Sequence, residues 1–273
     1  MTNLNQRHPQ FTEVAAAYDA LMSGVPYKRW VDYIEKLLRR LRASPRTVLD
    51  IACGTGNVTF ALADRGYQVA GVDISEPMLS VAREKARQQG RDIPFMHGDM
   101  RTLSLPDRYD LAVCLYDSIN YLLTLEDVTQ AFASVHRVLH PGGLYIFDVN
   151  TIYALRADLF TQRNLDPGAR VRYDWRSKYN HETRICEVVM DFWVRENGET
   201  RHFTEVHYER GYFLRELVDA LTQVGFRTLA VYEAYTFHEP RLLSDRVYFV
   251  ARKQRARKES DAGEMVVPCL DGI

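Results

Sequence analysis

From residue 47 onward the chain alternates between two hydrophobic rhythms. Short apolar runs at 47–52, 67–72, 93–96, 109–115 and 143–148 are separated by amphipathic stretches at 57–65, 76–89 and 126–139, with a short link around 101–106. The runs read as strands buried on both faces, and the stretches between them as helices covering a parallel sheet. Ser75 stands where the N-cap of the second helix belongs, and Gly66 and Gly90 stand at C-terminal glycine positions.

Other rhythms flank this block. Residues 12–22 and 30–42 read as helices. Within the second, Val31, Ile34, Leu37, Leu38 and Leu41 form one stripe at helical spacing. The segment "SGVPY" (23–27) separates the two, and Ser44-Pro45 ends the second. After Asn150 the period changes to two. Residues 170–210 alternate polar and apolar positions and are rich in aromatic rings, with Asn197-Gly198 marking a tight hairpin. This predicts a small antiparallel sheet inserted into the α/β unit. Residues 212–224 return to helix, with Phe213, Leu217, Leu221 and Val224 on one stripe, and strands follow at 226–234 and 246–252. The remaining tail reads as flexible. Five units result: an N-terminal helical lid at 1–42, a core at 43–150, an inserted β cap at 151–211, the rest of the core at 212–253, and the tail at 254–273.

The chain has 273 residues, 46% hydrophobic and 26% charged, which fits a globular protein with a sizeable core. Its formal net charge is −1, and its cations are scattered, basic only in a short run at 252–258. Affinity built on phosphate neutralisation needs a basic face, so nucleic acid is a poor partner class. Cys53, Cys114, Cys186 and Cys269 form no CxxC pair, which argues against a zinc site or a disulfide framework and suits a reducing cytoplasm. The polar N-terminal stretch lacks the apolar core of a signal peptide, and no run is long enough to span a bilayer. The expectation is a cytoplasmic protein, a monomer or homodimer, without metal.

The candidate chemistry begins at "VLDIACGTGN" (48–57), where a buried strand meets a glycine-broken turn. Gly54 and Gly56 let the main chain approach a ligand at the start of a helix. A dinucleotide fingerprint would need a third glycine or alanine at the position held by Thr59. Asp50, before the turn, would repel a pyrophosphate but suits a cationic amine. Asp73, ending the second strand, can accept both hydroxyls of a ribose. Asp99, past the third strand, can accept an adenine amine, with Met100 packing on the ring. Three strand ends would then meet one nucleoside ligand that carries a positive charge.

These segments resemble the class I S-adenosylmethionine (SAM) dependent methyltransferases. "VLDIACGTG" matches their first motif, "GVDIS" the second-strand acid and "HGDM" the adenine segment, while "YDLAVCLYDSINYL" and "LHPGGLYIFDVN" resemble the fourth and fifth strands. The likeness runs over roughly residues 10–250. It implies a doubly wound, seven-stranded Rossmann-like sheet whose last strand is antiparallel, with residues 226–252 as the closing hairpin. It also implies SAM as cofactor. The loop of Ala52, Cys53, Gly54 and Gly56 would lie against the methionine portion, with Ile74 and Met78 flanking the nucleoside. Leu115 would offer its carbonyl to the amino group.

The acceptor end is less determined. "AAAYDALMSGVPYKRWVDYI" resembles a branch with small-molecule substrates, including glycine and amino-sugar N-methyltransferases. In that branch an N-terminal helix covers the cofactor and brings a tyrosine to the methyl group. Tyr18 takes that position, with Tyr27 and Trp30 as lid aromatics. Asn120 and His207 are further candidates for catalysis, and Asp117, Tyr121, Tyr153 and Arg210 for binding the acceptor. "EVHYERGY" puts Glu205, His207 and Glu209 on one strand face. The resulting expectation is methyl transfer to a small molecule, with an amine nitrogen preferred. An RNA or protein methyltransferase, a metal-assisted O-methyltransferase using Asp117, Asp148 and Asn150, a SAM-binding protein without turnover and a nicotinamide-dependent oxidoreductase are the alternatives.

Overall fold

Seven strands form one mixed sheet in the computed structural model, which describes residues 10–196 and 198–254. Strands β1 (Thr47–Ile51), β2 (Gln68–Asp73), β3 (Phe95–His97), β4 (Tyr109–Cys114) and β5 (Leu139–Asn150) run parallel. Further along the chain, β10 (Phe226–Glu233) and β11 (Arg246–Lys253) close the sheet, giving the order β3-β2-β1-β4-β5-β11-β10. Strand β11 is antiparallel to both neighbours. The seven-stranded sheet with an antiparallel final strand is therefore present.

Its helices cover both faces. On one face, α2 (Tyr27–Arg40) and α3 (Asn57–Ala63) pack Ile34, Leu37 and Leu62 over Val48, Val113 and Ile146. On the other, α5 (Leu125–Val138) and α7 (Leu214–Gln223) pack Phe132, Val135 and Leu217 over Leu49, Phe147 and Phe249. Helix α4 (Glu76–Gln88) covers the β2–β3 edge, and Ser75 Oγ accepts the Met78 N–H as its cap. Because β1 to β5 run parallel, the loops after them lie along one edge, and the strand order switches direction between β1 and β4, where ligands of open α/β sheets bind.

The insert is a second sheet in the order β6 (Gln162–Asn164), β7 (Val171–Asn180), β8 (Ile185–Glu196) and β9 (Glu199–Arg210). All of its pairings are antiparallel. Short β6, and α6 (Ile152–Arg156) before it, were not expected from the sequence. The Asn197 half of the hairpin lies outside the described residues. Gly198 has φ +85°, and Glu196 pairs with Glu199 as a tight connection requires. The tail from 255 onward, with Cys269 and most of the basic run, also lies outside the described residues.

Two expectations about the N-terminal region change. Residues 12–22 do not form one helix: a 3₁₀ turn at Ala15–Ala17 leads into the short α1 (Tyr18–Leu21). The second helix begins at Tyr27 rather than at residue 30, directly after Pro26, and belongs to the layer covering the sheet. Among the described residues, no helix is long and apolar enough to cross a membrane.

Candidate active site

A cavity of about 570 Å³ opens beyond the ends of β1, β2 and β4, within the size range of small-ligand sites. One end is lined by the turn after β1, the Asp73–Ser75 segment, Met78 and the Gly98–Arg101 segment. Aromatic rings line the other: Phe11, Tyr18, Tyr27, Trp30, Tyr116 and Tyr121. Ring contacts link Tyr27 to Trp30 at 4.9 Å, Trp30 to Tyr116 at 5.2 Å, and Phe11 to Tyr18 at 6.1 Å and to Tyr121 at 5.5 Å.

The turn after β1 bends through left-handed backbone at Ala52 (φ +57°) and Gly54 (φ +54°). The Gly54 N–H donates to Asp73 Oδ2 at 2.8 Å, and the Ser75 N–H donates to Asp73 Oδ1 at 2.7 Å. Asp73 is thus fixed at the cavity wall with lone pairs still free. Burial raises its pKa, although those backbone donors work in the opposite direction. Gly56 acts differently: a Cβ there would lie 2.9 Å from the Phe95 ring. It seats the turn on the core and does not line the cavity.

Asp50 is 2% exposed and accepts the Thr59 hydroxyl at 2.6 Å. None of the ion pairs among the described residues includes it. Burial is the main cause that pushes its carboxyl up from 3.8 to about 7, opposed by the Thr59 hydrogen bond and reinforced by nearby Asp73. A buried carboxylate without a cation is costly unless a ligand supplies one. Asp99 is placed otherwise. Arg101 grips both its oxygens, at 2.5 Å from Nη2 to Oδ2, and reaches Asp127 at 3.1 Å. Burial would raise the Asp99 pKa, but the Arg101 hydrogen bonds lower it overall.

The profile of a family described as a methyltransferase domain matches residues 48–143. YqeM of Bacillus subtilis (strain 168), which carries a provisional methyltransferase name, is 35% identical over 243 residues, covering 88% of this chain and 96% of YqeM. The chain belongs to the SAM-dependent methyltransferases. Another similar protein is the dTDP-3-amino-3,4,6-trideoxy-alpha-D-glucopyranose N,N-dimethyltransferase of Streptomyces venezuelae, 29% identical over 78% of this chain and 90% of its own length. Among solved structures, a SAM-dependent methyltransferase from Clostridium acetobutylicum ATCC 824 superposes with TM-score 0.79 at 28% identity, covering 89% of this chain and 98% of that one.

The cavity fits the cofactor of a methyltransferase. SAM carries a sulfonium and an ammonium, the charges that unpaired Asp50 lacks. Ile74 is 62% exposed although apolar, and it stands at the cavity wall where a base could cover it. Met100 lines the same end. Leu115 also lines the cavity, and its carbonyl accepts the Ser118 hydroxyl at 3.0 Å. Its second lone pair remains available.

The methyltransferase's N-terminal segment covers this cavity, with Gln10, Phe11 and Thr12 in its lining. Asp19 fastens the segment to the core: it accepts Thr55 Oγ1 at 2.6 Å, Asn57 Nδ2 at 2.9 Å and Lys85 Nζ at 2.7 Å. Glu205 fastens it to the insert by accepting the backbone N–H groups of Phe11, Thr12, Glu13 and Val14. Neither contact was foreseen from the sequence, because each joins residues far apart in the chain.

Of the residues singled out from the sequence, Asp50, Ala52, Cys53, Gly54, Asp73, Ile74, Met78, Asp99, Met100, Leu115, Tyr18, Tyr27, Trp30 and Tyr121 converge on the cavity. Tyr18 and Tyr121 stay protonated phenols because burial, with neighbouring charges, raises both well above 10. Besides Gly56, five candidates are placed elsewhere. Asn120 is buried in a structural clamp, donating to the carbonyls of Asn150 and Arg210 and accepting the Asn150 N–H. Arg210 donates to the Leu123 carbonyl and lies over the Tyr212 ring. Tyr153, on α6, does not reach the cavity wall. His207 is 1% exposed and stands behind Tyr121. Asp117 is paired with Arg246 at 2.6 Å, and the same guanidinium holds Asp148 at 2.9 Å.

That last pair answers the idea of an oxygen-ligated cation at Asp117 and Asp148: a protein cation already occupies the space between them. Among the described residues, no group of three or more His, Cys, Asp and Glu side chains is arranged to hold a metal. Arg246 has a different task. Tyr116 (φ +65°) and Asp117 (φ +56°) are successive non-glycine residues in the left-handed region, a strained pair costing about 1–3 kcal/mol per residue. The Asp117 N–H bonded to Asp148 at 2.8 Å, and Arg246 lying 5.3 Å over the Tyr116 ring, hold that turn in place. No local feature of the chain signals this, since Arg246 enters from β11.

Proposed function

We propose that this methyltransferase acts on a small molecule and that the accepting atom is an amine nitrogen. The observation that carries this reading is the lining of the acceptor end, a pocket of aromatic rings roofed by residues 10–12. Rings attract a cationic or partly methylated amine through their faces, and a pocket closed to water favours an in-line displacement between positioned groups. Among the described residues the cavity's only cationic lining side chain is Arg101, already engaged by Asp99 and Asp127. That speaks against binding a phosphodiester backbone and supports the small-molecule reading over RNA. The similar Streptomyces venezuelae protein is named for N,N-dimethylation of an amino sugar, which supports nitrogen.

In this reading Asp50 faces the cofactor's cationic groups, Asp73 takes the ribose hydroxyls, and Asp99 with Met100 takes the adenine. Ile74 and Met78 flank the nucleoside, and the Leu115 carbonyl takes the amino group. SAM supplies an electrophilic methyl group on a good leaving group. Tyr18 stands at the methyl, while Tyr27 and Trp30 form the acceptor wall. The test is transfer of labelled methyl from SAM into a panel of amino sugars, amino acids, phenols and RNA. Label on an amine is expected. Label confined to phenols or RNA would overturn the reading.

A further inference from the structure

One polar chain leads away from the acceptor end of the cavity. The Tyr121 hydroxyl lies 3.0 Å from His207 Nδ1, and His207 Nε2 lies 2.9 Å from Glu205 Oε2. Glu205 also accepts four backbone N–H groups, at 3.0 Å from Phe11, 3.1 Å from Thr12, 2.9 Å from Glu13 and 3.1 Å from Val14. A carboxylate with that many donors stays ionised. Burial alone would raise its pKa, but His207 and these amides lower it overall. An ionised carboxylate only accepts, so His207 carries its proton on Nε2. Nδ1 is then bare and accepts from the Tyr121 hydroxyl. The lone pairs of the Tyr121 oxygen are left for a donor in the cavity.

We propose that Tyr121, His207 and Glu205 are the path by which the acceptor nitrogen loses a proton, with Tyr121 the catalytic residue and His207 and Glu205 positioning residues. This rests on the amine reading above. An ammonium N–H breaks and its proton goes to the Tyr121 oxygen. The Tyr121 O–H breaks in the same movement and its proton goes to His207 Nδ1. The nitrogen keeps the electron pair and is ready for methyl transfer. The imidazolium that forms lies against ionised Glu205, and no tyrosinate accumulates. The logic is that of a general base oriented by a carboxylate.

The groups around His207 suit this role. Tyr121 comes from the 3₁₀ turn Ser118–Tyr121, and the Phe11 ring packs edge-on to the imidazole at 4.6 Å. Glu205 and Glu209 share its face of β9, both buried. Burial pushes the Glu209 carboxyl well above the ordinary carboxylate range, with Asp117 adding to the effect, while Asn150 donates to it at 2.8 Å. Glu205 is the carboxylate in direct contact with the ring. The same carboxylate holds residues 11–14 over the cavity, so the proton path is complete only when that segment is in place.

The test has two arms on the full chain. Nitrogen-15 NMR of histidine-labelled protein with S-adenosylhomocysteine bound, assigned with His207→Gln, should show His207 protonated on Nε2 and bare at Nδ1. The Nε2 signal should move in Glu205→Gln, where the carboxylate partner is lost. A proton on Nδ1, or an Nε2 signal unmoved by Glu205→Gln, overturns the proposal. If Glu205→Gln does not fold, Tyr121→Phe serves: loss of the Nδ1 hydrogen-bond signature supports the path, and an unchanged spectrum refutes it. The second arm follows initial rates of methyl transfer from labelled SAM to benzylamine across pH and amine concentration. Tyr121→Phe and His207→Gln should each lower kcat by at least roughly tenfold with little change in KM, and His207→Gln should remove the wild-type pH dependence. Unaltered rates would overturn the path. If wild-type protein binds SAM yet methylates no amine, the amine reading fails, and the NMR arm still decides the chain of hydrogen bonds.

Discussion

Asp50 offers a trade between stability and binding that can be measured. Its carboxyl sits at about 7 in the folded protein against an ordinary 3.8, so ionising it there costs on the order of 4 kcal/mol. Between these values the unfolded chain gives up a proton that the folded chain keeps. Stability therefore falls as pH rises from about 4 to 7, and the full cost is present above 7. Asp50→Asn removes the charge and leaves an oxygen for the Thr59 hydroxyl. Its new amide N–H groups cost about 1–3 kcal/mol where the cavity water does not reach them. The net expectation at pH 8 without ligand is a variant more stable than wild type by roughly 1–3 kcal/mol, a few degrees in Tm for a chain of this size. Near pH 4.5 the advantage disappears. SAM should reverse the order at pH 8, because wild type gains a cation for its carboxylate and the variant does not. Below pH 7, SAM affinity of wild type should fall by up to about tenfold per pH unit, and that of Asp50→Asn should not. Thermal melts at pH 4.5 and 8, with and without SAM, supply the four comparisons. A variant less stable than wild type at pH 8 without ligand, or one that binds SAM equally well, would show that Asp50 is not a buried charge awaiting a cation.

Three further outcomes follow from the same geometry. Arg246→Met leaves Asp117 and Asp148 buried without their cation and should cost roughly 3–5 kcal/mol in urea unfolding; a loss under 1 kcal/mol would show that the pair does not hold the Tyr116–Asp117 turn. Gly56→Ala puts a Cβ 2.9 Å from the Phe95 ring at φ +81° and should lower the melting temperature and SAM affinity together, whereas an unchanged melt would mean the turn adapts. Asp73→Ala should weaken SAM or S-adenosylhomocysteine binding at least about tenfold by calorimetry, with unchanged affinity counting against the ribose assignment.

The sheet was legible because it is written in local periodicity. Buried parallel strands are continuous apolar runs, so β1, β2 and β4 stand out, and the change to period two after Asn150 marks the insert. The cofactor end was legible for a related reason: its groups sit at strand ends or within one turn of them. Asp50, Asp73 and Asp99 needed only the order of strands to be brought together. The acceptor end depends on contacts between distant segments. Glu205 meets residues 11–14 across more than 190 positions, and it draws their amides to itself where the sequence alone suggests helix. Arg246 meets Asp117 across 129 positions because β11 enters the sheet beside β5. Asn120 looked like a polar group aimed at substrate, yet its amide satisfies the main chain of β5 and β9. A polar side chain near a strand end has both uses, and only the surrounding backbone decides between them.

The most direct measurement is a crystal structure of the protein with S-adenosylhomocysteine. The nucleoside is expected along β1–β3 with its ribose hydroxyls on Asp73, its amino group on the Asp50 side, and its sulfur facing Tyr18 and Tyr121. A ligand bound elsewhere, or one whose ribose and amino groups turn away from those carboxylates, would contradict it.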